Sequence, residues 1–219
     1  MNKKPYSIAP MKAPLPQLSG KVFCPDSEPF CKVHDCAKIE SYVWDESGYK
    51  PEARACAAWS GEGLHVLMCA DEREIIAEET RFGGDVYKDS CMEWFLQPFE
   101  DDARYINVEV NAAGVAHIGF GAGRENRTVL SEMPEGVNLQ VSAHDGAWWA
   151  VAYTIPSALI EQLWGRTLVP GQRMRGNFYK CDESIHPHFG SWNPIVCDHP
   201  DFHRPECFGA MTLEAVSKA

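Results

Sequence analysis

Short runs of alternating apolar and polar residues recur along the chain, separated by clusters of Gly, Asn, Asp and Pro. A period of two is the mark of a strand with one buried face. Residues 53–59 (ARACAAW) and 64–71 (LHVLMCAD) flank Ser60-Gly61-Glu62-Gly63, a connection suited to a hairpin. Residues 91–98 (CMEWFLQP) and 105–111 (YINVEVN) flank the polar turn Glu100-Asp101-Asp102. Further strands are expected at 115–121, 137–144, 148–156, 173–181 and 210–216. One helix stands out, SALIEQLW at 157–164, stopped by Gly165.

Nine strands spaced by turns, with one short helix, predict an all-β fold: a two-sheet antiparallel β-sandwich of jelly-roll type. Residues 1–20, broken by four prolines, read as an extended lead-in, and 21–219 as a single domain. Alternation assigns Met92, Trp94 and Leu96 to the core, with Cys91, Glu93 and Phe95 on the other face. Ile106, Val108 and Val110 likewise oppose Tyr105, Asn107 and Glu109, and Met174, Gly176 and Phe178 oppose Arg175, Asn177 and Tyr179. These second faces combine carboxylates, amides and aromatic rings. They suit either a solvated outer surface or a saccharide, whose hydroxyls take planar polar partners while its C–H faces stack on rings.

Charge narrows the partners. The chain has 219 residues and a formal net charge of −11, without a Lys/Arg-rich block. Such a surface repels phosphate backbones and anionic lipid, so neither nucleic acid nor membrane is expected as a partner. No continuous apolar segment follows Asn2-Lys3-Lys4, so no targeting signal is expected. Nine cysteines form an odd set without a C-x-x-C pair. They read as free thiols in a reducing cytoplasm.

Five stretches, in order, resemble the family-9 carbohydrate-binding modules and their relatives: DVYKDSCMEWFLQP (85–98), YINVEVNAAG (105–114), WWAVAYTIP (148–156), RGNFYKC (175–181), and SWNPI (191–195) with PDFHRPECFGAMTL (200–213). The resemblance implies a β-sandwich that binds a saccharide without cleaving it, at a chain end and between two aromatic rings. By position it assigns the rings to Tyr87 and Trp192, and the polar contacts to Glu93, Asn107 and Asn177. Tyr87 stands where the family usually has tryptophan, and Ala152 replaces a glutamate. Phe202 to Gly209 read as a structural buckle before the last strand.

Other chemistry is weighed against this. Cys197, His199, His203 and Cys207 are suitable zinc ligands, but their spacing matches no common zinc framework. Glu93 and Glu109 on adjacent strands, or the late histidines His186 and His188, would serve a carbohydrate-active hydrolase or a metal-dependent enzyme. Met68, Met92 and Met174 fall at core positions, which favours packing over haem ligation. No cofactor is expected. Structural calcium is left open, with acidic loops at 71–74, 85–89 and 100–102 as oxygen donors. The identity of the sugar and the oligomeric state are also left open.

Overall fold

The computed structural model describes residues 3–18, 24–44, 47–143 and 147–215. Among these lie the strands β1 (Tyr6–Pro10), β2 (Cys36–Ile39), β3 (Ser41–Tyr42), β4 (Ala53–Ser60), β5 (Gly63–Glu72), β6 (Cys91–Gln97) and β7 (Tyr105–Asn111). They are followed by β8 (Ala116–Gly121), β9 (Arg127–Val129), β10 (Gln140–Ser142), β11 (Ala147–Pro156), β12 (Arg173–Asp182), β13 (His188–Ser191) and β14 (Gly209–Leu213). Helices are few: α1 (Pro29–Val33), α2 (Ser157–Trp164) and single 3-10 turns at Val86–Lys88 and Pro205–Cys207. The fold is all-β.

The nine expected strands are all present. The ends placed at residues 144 and 216 lie outside the described residues, as do residues 1, 2 and 19–23 at the limits of the expected lead-in and domain. The five unexpected strands (β1, β2, β3, β9 and β13) are each five residues or fewer. Over so short a run, alternation carries little signal. Helix α2 ends as expected at Gly165, whose φ of 69° is left-handed and whose N–H bonds Glu161 O at 2.7 Å.

The strictly antiparallel arrangement is corrected by β1. This strand, from the proline-rich lead-in, pairs in parallel with both β14 (Tyr6↔Met211) and β4 (Ala9↔Ala58). It joins two antiparallel segments into one curled mixed sheet, ordered β10-β11-β5-β4-β1-β14-β12-β6-β7-β8-β9. Pro10 lacks an N–H and stands at the end of β1, where a ladder tolerates it.

The inner faces of both segments meet in one apolar core. Trp94, Ile106, Val108 and Phe178 come from one segment, and Val66, Met68, Trp149 and Tyr153 from the other. Met92 and Met174 are fully buried there with Met68. A charged contact crosses this interior. Lys180 Nζ on β12 lies 2.9 Å from Glu72 Oε1 on β5, and Trp149 Nε1 donates to Glu72 Oε2 at 2.7 Å.

The opposite face of β6, β7 and β12 is covered as well. Phe95, Tyr105, Tyr179 and Cys181 pack there against Val86, Ile195, Phe202 and Phe208 from two long loops. The free-thiol expectation fails at one place. Cys36 and Cys56, directly opposite on β2 and β4, form a disulfide, and the other seven cysteines are free. Among the described residues, no helix is long and apolar enough to cross a membrane.

Candidate functional site

The two covering loops leave a gap at one end of the outer face, a cavity of about 380 Å³. Its floor is made by outward positions of four strands: Glu93 and Phe95 of β6, Glu109 of β7, His117 of β8 and Cys181 of β12. Asp85 and Tyr87 form one wall, and Pro200, Asp201, Phe202 and His203 another. Arg124 and Arg127 enter from the β8–β9 turn, with Glu183 and Phe189 at the rim.

Local chemistry holds each wall in place. The Glu79 carboxylate accepts backbone N–H groups from Thr80, Arg81 and Asp85, organising the turn that precedes Tyr87. Asp89 Oδ2 accepts from Glu79 N and Asn111 Nδ2, and Val86 is fully buried beneath. Tyr87 is thereby presented with 36% of its surface exposed. On the other wall, Phe202 stacks on Tyr179 with ring centroids 4.1 Å apart and planes 7° apart. Asp201 accepts from His203 N and pairs with Arg124 and Arg204.

The polar floor is rich in acid and poor in compensation. Glu93 and Glu109 stand directly opposite each other on β6 and β7, and both are buried. Asn107 donates to Glu109 Oε1 at 2.8 Å and accepts from Arg127. Gly119 leaves room for that amide, because a Cβ there would sit 2.6 Å from Asn107 Oδ1. Burial raises the Glu109 pKa, with His117 and Arg127 opposing. Glu93 is pushed well above the usual carboxylate range, by burial first and then by Cys181 and Glu109. Burial holds His203 down at about 3, helped by Arg127 and Arg124, so its ring is neutral. A group of carboxyls, guanidinium groups and a phenol ring around a cavity can hydrogen-bond hydroxyls and stack against a flat apolar face.

The structure brings Tyr87 and Glu93 to one cavity, while Asn107 does not line it but bonds Glu109 and Arg127, which do. The structure does not bring Asn177 or Trp192 to that cavity. Asn177 is fully buried under the closing loop, donating to Asn193 O and accepting from Asn193 N and Phe178 N. It shares its face of β12 with Cys181, but lies toward the covered end of the strand. Trp192 is 3% exposed and packs on Tyr6 and Phe178, each 5.8 Å away, in the main core. The expected slot between Tyr87 and Trp192 therefore does not form. The rings that line the cavity with Tyr87 are Phe95, Phe189 and Phe202. The segment read as a structural buckle also supplies part of a wall, through Phe202 and His203. His117 was legible in principle, since it alternates with Ala116 and Ile118 on β8.

The four residues weighed as zinc ligands do not converge on one point, although Cys197 and His199 stay 3.8 Å apart. His203 turns to Tyr105 (Oη to Nδ1, 2.6 Å), while Cys207 is buried with the aromatic rings. His188 bonds Lys180 in the interior, and His186 lies near the surface beside Glu74. Several carboxylates of the acidic loops already have protein partners: Glu72 with Lys180, Asp85 with Lys88, Asp101 with Arg166 and Asp102 with Arg104.

A candidate carbohydrate-binding protein from Bacteroides uniformis superposes with a TM-score of 0.79 at 27% identity, over 97% of this chain and all of that one. A family-9 carbohydrate-binding module from Caldicellulosiruptor kristjanssonii, solved with cellotriose, gives a TM-score of 0.66 at 13% identity, covering 98% of this chain and 95% of that one. The glucose complex of a family-9 module from the same organism gives 0.66 at 12% identity, covering 99% and 98%. At such identities these two show a shared fold. No curated protein matches the chain. The sequence profile described as carbohydrate-binding family 9 matches residues 29–213, and the chain belongs to that family.

Proposed function

We propose that this chain binds a saccharide without cleaving it, in the cavity bounded by Tyr87, Glu93 and Phe202, with the two segments of its curled sheet serving as the layers of a sandwich. One observation carries this reading: an exposed aromatic ring and several inward-facing polar groups line a single cavity in a member of a carbohydrate-binding family. Tyr87 offers a face for stacking on sugar C–H groups. Arg124 and Arg127 donate to hydroxyl oxygens, and Glu109 accepts from hydroxyl hydrogens. Glu93, whose protonated form burial favours, can in that form both donate and accept. The volume lies in the range of about 300–1,000 Å³ common to small-ligand pockets.

Acid excess also bears on the ligand. Asp85, Glu93, Glu109, Glu183 and Asp201 line the cavity with only Arg124 and Arg127 as fixed cations among the lining residues, while Lys88 and Arg204 pair Asp85 and Asp201 from outside it. A neutral sugar suits this wall better than an acidic one. With Cys36 and Cys56 bonded, the cysteines no longer argue for a reducing compartment. Crystals soaked with glucose or cellotriose test the reading. A sugar ring against Tyr87 and the Glu93 floor is expected. A sugar held only elsewhere on the protein would overturn the assignment.

A further inference from the structure

Glu93 shares the cavity floor with two thiols. Cys91 and Cys181 stand directly opposite each other on β6 and β12. Cys181 Sγ lies 3.1 Å from Glu93 Oε1, and Cys91 Sγ lies 4.0 Å from the same oxygen. One donor atom from each of the three lies within 4.8 Å of the others. All three residues are buried, yet Glu93 and Cys181 line the cavity.

A second unpaired group lines the same cavity. His117 Nδ1 lies 3.1 Å from the carbonyl oxygens of both Gly83 and Gly84. Carbonyls only accept, so Nδ1 carries a proton, and in the neutral ring Nε2 then holds the lone pair. His117 is 9% exposed and lines the cavity, and its Nε2 is buried without a hydrogen-bond partner. The nearby cations are engaged elsewhere: Arg127 with Asn107 and His203, and Lys180 with Glu72 in the interior.

We propose that Cys91, Cys181 and Glu93 form a binding site for one thiophilic divalent cation of the zinc class, with its remaining coordination position open to the cavity. Bonds of about 2.3 Å to sulfur and 2.1 Å to oxygen at a tetrahedral angle set the donors roughly 3.6 Å apart. The observed 3.1 and 4.0 Å bracket that separation. A divalent cation would also supply the positive charge that this buried group of acids lacks. Binding would release the two thiol protons and the Glu93 carboxyl proton, and would therefore tighten as pH rises.

Among the described residues, two other triplets of ligand-type residues are less suited. In Cys31, Cys36 and Cys56, the disulfide has consumed two thiols. In Cys197, His199 and Asp201, the Arg204 guanidinium lies 3.0 Å from Cys197 Sγ and already pairs with Asp201. A metal on Glu93 would compete there with a sugar hydroxyl, so the two ligands should antagonise each other. The metal site itself does not depend on the saccharide reading.

The test is titration of the whole chain, its disulfide intact, with Cd²⁺ and no saccharide. Thiolate ligation gives a sulfur-to-metal charge-transfer band in the ultraviolet, and Zn²⁺ should displace the Cd²⁺ and abolish it. One Cd²⁺ per chain is expected at this site. Cys181→Ser and Cys91→Ser should weaken binding more than about tenfold, and Cys197→Ser should leave it unchanged. A folded wild-type protein without the band would overturn the proposal. So would a band that survives both serine substitutions at the floor, or one lost in Cys197→Ser. If the serine variants fail to fold, Glu93→Gln decides: weaker Cd²⁺ binding is expected, and unchanged affinity would count against the site.

Discussion

Lys180 and Cys181 are neighbours on β12, yet they face two different kinds of buried polar cluster. On the core side, Lys180 Nζ has three partners: Glu72 Oε1 at 2.9 Å, Cys181 O at 2.8 Å and His188 Nε2 at 2.9 Å. Glu72 takes its other bond from Trp149, and His188 Nδ1 reaches His186 O at 2.7 Å. Cation and anion are paired and hydrogen-bonded, and the cluster pins β12 to β5. On the other side, Cys181 meets Glu93 and Glu109 on a floor where acids outnumber the available cations, and that floor opens to a cavity. A closed, satisfied cluster serves the fold, whereas an open and unbalanced one is arranged for something that arrives from outside.

The contrast breaks first if the closed cluster proves dispensable. Lys180→Ala leaves the Glu72 carboxylate buried without its cation, and should cost about 3–5 kcal/mol in urea unfolding. A loss below about 1 kcal/mol would mean that the pin contributes little. Trp192 belongs on the same side of the comparison. Trp192→Ala should cost about 3–5 kcal/mol by opening a core cavity. Its folded fraction should keep its saccharide affinity, and a specific loss of affinity at unchanged stability would return Trp192 to the binding site.

Titration sharpens the contrast, because the two clusters respond with opposite signs. Burial, then Lys180, lowers the His188 pKa to about 3, from an ordinary value of 6.5. The stabilisation from its neutral form is present above 6.5 and is lost as pH falls toward 3. Glu93 is raised instead, from an ordinary 4.5. Its contribution is complete below 4.5 and is lost as pH rises through the higher folded-state value. Glu93→Gln, which cannot ionise, should therefore flatten the decline in stability above pH 4.5. Thermal melts across pH read this directly, and an unchanged profile would show that Glu93 ionises as freely in the folded chain as in the unfolded one.

Much of the fold was legible because alternation is a strong signal over seven or more residues. The runs in β6, β7 and β12 told core from outer face correctly, down to Met92, Trp94 and Phe178. What alternation could not show was the use of the outer face. Loops cover most of it, so Asn177 became a bolt for Asn193 while Glu93, on the neighbouring strand, stayed in the cavity. Tyr87 and Glu93 were readable from the motif that carries both. Trp192 was assigned by its position in the family motif, which carries no sign that its backbone N–H bonds Phe178 O and that its indole packs inward on Tyr6 and Phe178. The β1 crossover and the Cys36–Cys56 bond depend on pairings between distant segments, which no local pattern encodes.

The central claim is that the open cluster beside Tyr87 is the saccharide site. Calorimetric titration of cellotriose into wild type and Tyr87→Ala tests it most directly, since this half-exposed ring can be removed with little effect on the core. Losing one stacking face should cost about 1–3 kcal/mol, roughly a ten- to hundredfold weaker Kd, at nearly unchanged thermal stability. If Tyr87→Ala binds cellotriose as tightly as the wild type does, the sugar sits elsewhere and the account is wrong.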